Sequence, residues 1–277
     1  MSPVSETRRL RRTCAVLLVL LAGGTLLRAQ TSAARALQQA LQGTHAAGVV
    51  LDMQTGAVVA RVGDAGPMLP GSTVKPMVLA WALRHGVVSA KTEVYCRRNL
   101  RIGGRALQCT HPGDVTVLRA ETAIAESCNT YFAQLGRRMT GAQMEAALSE
   151  AGLPHDAFGD ASGDARALTA LGLRGVHVTP QQLAVAYRAM LLREGAESPV
   201  WRGMVAAVVY GMANPARVQG VELLGKTGTV SEPGQAWTHG WFAGAMPGRL
   251  VVVVALPRGD GGDAARLARR FFVGLQR

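Results

Sequence analysis

The chain has 277 residues, 48% of them hydrophobic, and its 30 Lys and Arg outweigh 18 Asp and Glu to give a net charge of +12. That balance excludes disorder, collagen-like repeats and a multi-span membrane protein, and the length suffices for one sizeable core. Only three of the cations are lysines (Lys75, Lys91 and Lys226), the rest being arginines, so each Lys raises the question of what a titratable amine does at its position.

Residues 1–30 read as an export signal. A basic stretch from Arg8 to Arg12 precedes an apolar run from Ala15 to Leu27, and Ala29 offers a small residue for cleavage. The run is short against the roughly 20 residues of a membrane span, which favours a cleaved signal over its alternative, a retained N-terminal anchor. Cys14 precedes the apolar run and is a poor lipid-attachment site. The expectation is a domain over 31–277 acting outside the cytoplasmic membrane, in the periplasm or cell envelope. Because residues 1–30 hold five Arg and one Glu, the remainder carries +8 of the +12. Aromatic residues make up only 5% and no nucleic-acid-binding motif occurs, so the positive charge reads as a solvated surface and no nucleic acid partner is expected.

In chain order, a short helix is predicted over Ser32–Leu41. Ala46–Asp52 and Ala57–Val62 are two strand-like runs around Met53-Gln54-Thr55-Gly56, which reads as an antiparallel hairpin. After Pro70-Gly71 a helix is predicted from Thr73 to about Leu83. The middle is helical in pattern, with helices at 129–139, 142–151, 180–192 and 200–209. Strand signals return at Val221–Thr229, Gly240–Ala245 and Leu250–Leu256, and an amphipathic helix capped by Asp263 closes the chain. Strands at both ends and helices between imply an α+β fold: one antiparallel sheet built from both chain ends, flanking helices and an inserted helical lobe, with a cleft between lobes.

Three short motifs stand in order along this plan. Ser72-Thr73-Val74-Lys75 lies at a helix start, where residues three apart share a face. A serine hydroxyl becomes a nucleophile when a base takes its proton, and a Lys amine serves as that base when burial or nearby positive charge lowers its pKa. Ser127-Cys128-Asn129 adds a second hydroxyl and an amide. Lys226-Thr227-Gly228-Thr229 ends a predicted strand with a second ammonium and two hydroxyls suited to a carboxylate. Chance occurrence of all three has odds of roughly three in ten thousand.

With these motifs the chain resembles the penicillin-binding transpeptidases of the penicilloyl-serine-transferase group, which also holds the serine β-lactamases. The likeness is to the monofunctional, elongation-type members. It extends through Tyr95-Cys96, Ile102-Gly103-Gly104, Glu126-Ser127-Cys128-Asn129-Thr130-Tyr131-Phe132, Val178-Thr179-Pro180-Gln181-Gln182, Gly225-Lys226-Thr227-Gly228-Thr229 and Trp241-Phe242-Ala243-Gly244. The resemblance implies acyl transfer on peptidoglycan stem peptides ending in D-Ala-D-Ala, by a D,D-transpeptidase or D,D-carboxypeptidase that β-lactams acylate. It assigns Ser72 as nucleophile, Lys75 as its base, Ser127 as proton relay, Asn129 as the group ordering Lys75, and Lys226 as the cation polarising Ser127. Thr227, Gly228 and Thr229 would form the substrate-binding strand, and the backbone N–H groups of Ser72 and Thr229 the oxyanion hole. Cell-envelope proteins are possible further partners; no cofactor is expected.

Other residues read as structural. Trp241 and Phe242 suit sheet packing, and His239 a structural role, since the family's base is a Lys. Relative to the family, the chain is short between the first hairpin and Pro70, and neither a pedestal nor a glycosyltransferase segment precedes Gly48. It is expected to be a minimal catalytic module. The alternatives are a non-catalytic sensor or scaffold that binds stem peptides or partner proteins and, third, a β-lactamase. The last needs a second base for water, and the nearest Glu-x-x-Leu string, Glu145 to Leu148, falls inside a helical pattern. After the signal the cysteines number three. Cys96 and Cys109 share a loop, for which a disulfide is expected in an oxidising compartment. The alternative is a metal held by Cys96, Cys109 and His111, a region where the resemblance implies that some elongation-type relatives hold one. Cys128 is expected to point into the helical lobe.

Overall fold

In a computed structural model, which describes residues 31–232 and 234–276, the signal-like segment 1–30 lies outside the described residues. Helix α1 (31–41) leads into strands β1 (Ala47–Asp52) and β2 (Val58–Val62), paired as the expected hairpin. Asp52 folds their turn, its carboxylate accepting from the backbone amides of Gln54 and Thr55. A 3₁₀ turn (Gly71–Val74) runs into α2 (Lys75–Arg84). The short strands β3 (Val94–Tyr95), β4 (Asn99–Ile102), β5 (Arg105–Gln108) and β6 (Val117–Leu118) follow, β3 pairing with β6 and β4 with β5. The helical lobe comprises α3 (Ala120–Ala125), α4 (Asn129–Arg138), α5 (Gly141–Glu150), α6 (Gly163–Ala170), α7 (Pro180–Glu194) and α8 (Pro199–Val209). Strands β7 (Leu224–Ser231), β8 (Thr238–Met246) and β9 (Leu250–Leu256) and helix α9 (Gly261–Gly274) complete the chain.

The five long strands form one antiparallel sheet in the order β2-β1-β9-β8-β7. The chain ends therefore meet at β1 and β9, as the strand pattern implied. The period of two divides the side chains between two cores. Val49, Leu51, Val251, Val253, Trp241 and Ala243 face the lobe through α7. Val50, Val252, Val254 and Phe242 face α1 and α9, where Leu37, Phe271 and Phe272 cover them. Both faces being buried, β9 is an unbroken apolar run without polar alternation.

Helix α9 begins earlier than expected. Its N-cap is Asp260, and Asp263 sits at the third helical position; each side chain accepts from the other's backbone N–H. With β2 at one edge and β7 at the other, β7 keeps a free side, and that side meets the 3₁₀ turn. The hairpin β4–β5 was not expected from the pattern. Gly103 and Gly104 both take positive φ (53° and 79°), the two-residue turn that joins tightly paired strands. Asp164 of α6 accepts from the Gly103 amide (2.9 Å) and from Arg137 (2.8 Å), fixing the hairpin tip to the lobe. No helix among the described residues is long and apolar enough to cross a membrane.

Candidate active site

The three motifs converge where sheet, lobe and hairpin meet. Ser72 lies in the 3₁₀ turn and Lys75 is the first residue of α2; in 3₁₀ geometry residues three apart eclipse, which puts both side chains on one side. The turn is held from behind. His239 and the Trp241 indole both donate to the carbonyl of Leu69 (2.9 and 3.0 Å), two residues before Gly71. Gly71 donates to the Gly172 carbonyl at 3.0 Å. His239 and Trp241 are thus buried supports of the nucleophile turn, in keeping with their structural reading.

Ser127 is the hub. It follows α3 with φ of +53°, the one non-glycine residue with positive φ among those described. A left-handed residue with a Cβ carries backbone strain that surrounding contacts must hold. Those contacts are two lysines. Lys226 on β7 donates to Ser127 Oγ (2.7 Å) and to the Thr227 carbonyl (2.9 Å). Lys75 donates to Ser127 O (2.7 Å), to Asn129 Oδ1 (2.8 Å) and, at 3.3 Å, to Ser127 Oγ. Asn129 in turn donates from Nδ2 to the Gln108 carbonyl of β5 (2.7 Å), joining the motif to the hairpin. Ser72 Oγ makes no hydrogen bond among the described residues, which leaves its hydroxyl free to meet a substrate.

Electrostatics follow from burial. Both amines are fully enclosed. Desolvation lowers Lys75 to about 8, although the thiols of Cys128 and Cys109 pull it part of the way back. Desolvation and then the charge of Lys75 hold Lys226 well below the usual lysine range. An amine that gives up its proton near neutrality can act as a base.

In front of these groups lies a cleft of about 520 Å³, a size suited to a peptide or small molecule. Ser72 and Asn129 sit at its base, Arg105 to Gln108 of the hairpin form one wall, and Thr229 and Ser231 of β7 the other. Gly228 permits the close approach of β7 to the nucleophile turn: a Cβ there would stand 2.7 Å from the Pro70 carbonyl and 3.3 Å from the Ser72 amide nitrogen. The two threonines of the third motif part company. Thr229 is exposed and lines the cleft, its hydroxyl accepting from the Gly261 amide at 2.9 Å. Thr227 is buried, donates to the Met212 carbonyl at 3.3 Å and does not line the cleft. Of the two hydroxyls expected to reach a carboxylate, that of Thr229 faces the cleft in this structure, while α9 and the segment before β7 pack over Thr227. Sequence reasoning missed Arg105, whose guanidinium donates to the Ser231 carbonyl (2.7 Å) and the Leu173 carbonyl (3.4 Å) and so ties the two walls together. A single Arg after a Gly-Gly turn gives no such signal in a chain this rich in Arg.

The loop cysteines also differ from expectation. Cys96 and Cys109 are free thiols and not a disulfide, and Cys128, fully buried in the core that α3 and α4 share, has its sulfur 3.8 Å from that of Cys109. The three sulfurs and the His111 ring converge because the loop folds back against the start of α4. Glu145, inside α5 as expected, accepts from the Phe158 and Gly159 amides and takes no part in the cleft.

Comparison with known proteins bears on this arrangement. The family model for the penicillin binding protein transpeptidase domain matches residues 46–272. Among solved structures, the chain is similar to the D,D-transpeptidase domain of a peptidoglycan glycosyltransferase from Eggerthella lenta, with 20% identity over 88% of this chain and 81% of that one and a TM-score of 0.77. It is also similar to Pseudomonas aeruginosa PBP2 in complex with WCK 5153 (20% identity, 88% and 74% covered, TM-score 0.73). A third likeness is to the transpeptidase domain of Burkholderia pseudomallei penicillin-binding protein 3 (21% identity, 91% and 93% covered, TM-score 0.71). No curated protein sequence matches the chain. The family model spans most of the chain, from β1 into α9, and includes every residue of the converging motifs: the chain belongs to the penicillin-binding protein transpeptidase domain family.

Proposed function

We propose that this D,D-transpeptidase of peptidoglycan acts through Ser72. The observation that carries the reading is the Ser127 hydroxyl held between two buried amines, next to a cleft that Ser72 and Asn129 line. In this mechanism Lys75, as the neutral amine, takes the proton of Ser72 while Ser72 Oγ bonds to the carbonyl carbon of the penultimate D-alanine. The backbone N–H groups of Ser72 and Thr229 hold the oxyanion. The C–N bond breaks as Ser127 gives its proton to the departing D-alanine amine, and Ser127 is reprotonated from Lys75. Lys226 polarises Ser127 and, with Thr229, draws the terminal carboxylate into place. An acceptor amine then attacks the acyl-enzyme by the reverse route. Attack by water would make the D,D-carboxypeptidase product. The slower water route follows from the position of Glu145, whose carboxylate already serves the Phe158 and Gly159 amides away from the cleft. The site of action is the cell envelope, where the stem peptides are.

Labelling with a fluorescent penicillin tests the assignment. The purified protein becomes covalently labelled, Ser72→Ala abolishes the label and Lys75→Ala slows it severely. Labelling that survives Ser72→Ala would sink the nucleophile assignment.

A further inference from the structure

Away from the catalytic cleft, a second cavity of about 540 Å³ opens between α9 and the short turn that precedes β7, lined by Asn214, Pro215, Arg217, Gln219 and Arg269. Four of these five side chains carry N–H donors and none is acidic. Arg269 donates from Nε to the Arg217 carbonyl at 2.9 Å, which sets its guanidinium at the cavity wall with both terminal nitrogens unused. Asn214 fixes the turn through Nδ2, which donates to the Val208 and Val209 carbonyls (3.1 and 2.8 Å). Arg217 reaches only the Val209 carbonyl, at 3.4 Å. Among the described residues neither guanidinium has a carboxylate partner. Each guanidinium is a planar fork suited to a carboxylate or a phosphate. A phosphate ester, with oxygens pointing in more than one direction, can meet two forks where a planar carboxylate meets one.

The surrounding face points to a phosphate on a surface. Arg266, Arg269 and Arg270 share the exposed side of α9, and only Arg266 is paired, with Asp263 at 2.5 Å. Glu222, three residues after Gln219, is exposed but does not line the cavity. Helix α1 packs on α9, where a Cβ on Gly274 would stand 3.2 Å from Ala36, and the exposed side of α1 carries Arg35 and no acid. Residue 31, the first of α1, directly follows the segment 1–30, whose basic stretch and apolar run read as an export signal. On that reading the chain passes from the membrane straight into the helix that packs on α9.

We propose that the Arg217–Arg269 cavity seats the phosphate of an anionic lipid headgroup, and that the exposed sides of α1 and α9 rest on the membrane around it. Arg35 and Arg270 add attraction to the anionic surface, which screening by salt weakens; the cavity adds the geometry that charge alone lacks. The seat stands clear of the catalytic cleft. Helix α9 begins at Gly261, whose amide donates to the cleft-lining Thr229, and Arg269 lies eight residues further on, about 12 Å along the helix axis. A headgroup in the seat therefore leaves the Thr229 wall free for substrate. The inference concerns where the domain rests and does not depend on the transpeptidase reading.

Binding of the full-length protein to vesicles of phosphatidylcholine, and to vesicles of equimolar phosphatidylcholine and phosphatidylglycerol, tests the seat. Affinity for the anionic vesicles should be the higher and should fall as salt is raised. Any pull from residues 1–30 is common to the protein and its variants, so the variants isolate the cavity. Arg217→Ala combined with Arg269→Ala should weaken binding to the anionic vesicles about 30-fold, at about fivefold per basic residue near such a surface. Arg217→Lys combined with Arg269→Lys keeps the charge but removes the forks, and should show most of that loss. Arg97→Ala combined with Arg101→Ala removes equal charge from exposed positions elsewhere and should leave binding unchanged. A measurement on the native sequence decides the matter even where a variant fails to fold: phosphatidylglycerol with a photoreactive headgroup should cross-link within 214–219 or 266–273, located by mass spectrometry. Equal losses in the two alanine pairs, full binding by the lysine pair, or cross-links absent from both segments overturn the seat. No preference for the anionic vesicles overturns the lipid assignment; inorganic phosphate taken up in solution by the native protein, and not by the lysine pair, would then make the ligand a soluble anion. A protein that binds as proposed yet takes no penicillin label defeats the transpeptidase reading and leaves this site standing.

Discussion

The buried amine of Lys75 sets a pH profile that can be worked out in advance. Desolvation brings its pKa to about 8, and only the neutral amine can accept the Ser72 proton. The neutral fraction is about one hundredth at pH 6, about one tenth at pH 7 and about nine tenths at pH 9. The second-order rate of acylation by a fluorescent penicillin should therefore climb about tenfold from pH 6 to 7, bend near 8 and level above it, a total gain of roughly 90-fold by pH 9. Initial labelling rates across a buffer series at fixed ionic strength measure this directly. A flat profile, or one still rising tenfold per unit at pH 10 as for an ordinary exposed lysine, would refute Lys75 as the base. The same displacement affects stability. The folded-state value lies below the unfolded one, so the unfolded chain binds more protons between about 8 and the ordinary lysine value of 10.5, and stability rises with pH across that window. Below about pH 8 the folded state bears a burial cost on the order of 3 kcal/mol, and Lys226, depressed in the same direction, adds to it. The urea midpoint should rise from about pH 7.5 to about 9.5, and Lys75→Met should flatten that rise.

Gly228→Ala places a methyl 2.7 Å from the Pro70 carbonyl and must push β7 away from the nucleophile turn; acylation should fall about 100-fold with a stability loss of about 1–3 kcal/mol, both read on the purified variant, and an unaffected labelling rate would contradict the close approach. Ser127→Ala and Ser127→Gly both remove the relay hydroxyl and should both acylate slowly, but only glycine relieves the positive φ, so Ser127→Gly should be more stable than Ser127→Ala by about 1 kcal/mol in chemical denaturation; equal stabilities would mean the turn stores no strain. The penicilloyl adduct should last minutes or longer, followed by mass spectrometry, and Glu145→Ala should leave that lifetime unchanged; rapid turnover of penicillin that Glu145→Ala abolishes would identify a β-lactamase.

Elements whose side chains face two ways were legible in the sequence because their period is set by burial. β1 and β9 declared themselves by short apolar runs, and α7 by a Thr-Pro-Gln-Gln start whose Thr179 and Gln182 form a capping box. The order of strands and helices was enough to bring the two chain ends into one sheet. Start positions were less secure: Asp260 and Asp263 are both plausible caps, and only the reciprocal hydrogen bonds decide between them. The β4–β5 hairpin had its signal in Gly103-Gly104 between alternating Leu100, Ile102 and Leu107, but four-residue strands are short enough for it to pass as loop. Thr227 and Thr229 are equivalent by strand period. What separates them is the cover over Thr227 from Met212 and α9, a tertiary fact with no local trace.

The second motif shows why spacing marks some functional residues and hides others. Ser127 and Asn129 are two residues apart and both serve the lysine side of the turn, while the left-handed backbone at Ser127 and the extended backbone at Cys128 bring the intervening side chain to Cys109. A pattern of the form Ser-x-Asn records the two outward groups and is silent on the middle one, because many residues fit there if they need only fill space. Its cysteine acquires chemical meaning through partners from three other positions, Cys96, Cys109 and His111, that the segment between β3 and β6 delivers. Sequence distance ranked Cys96 with Cys109 as a pair, since the two share that loop; the fold ranks Cys109 with Cys128, since Gln108 and Asn129, their neighbours in the chain, are already joined by a hydrogen bond. One three-residue segment thus works on two sides at once, and a perturbation applied to the sulfur side must reach Ser127 through a single peptide bond.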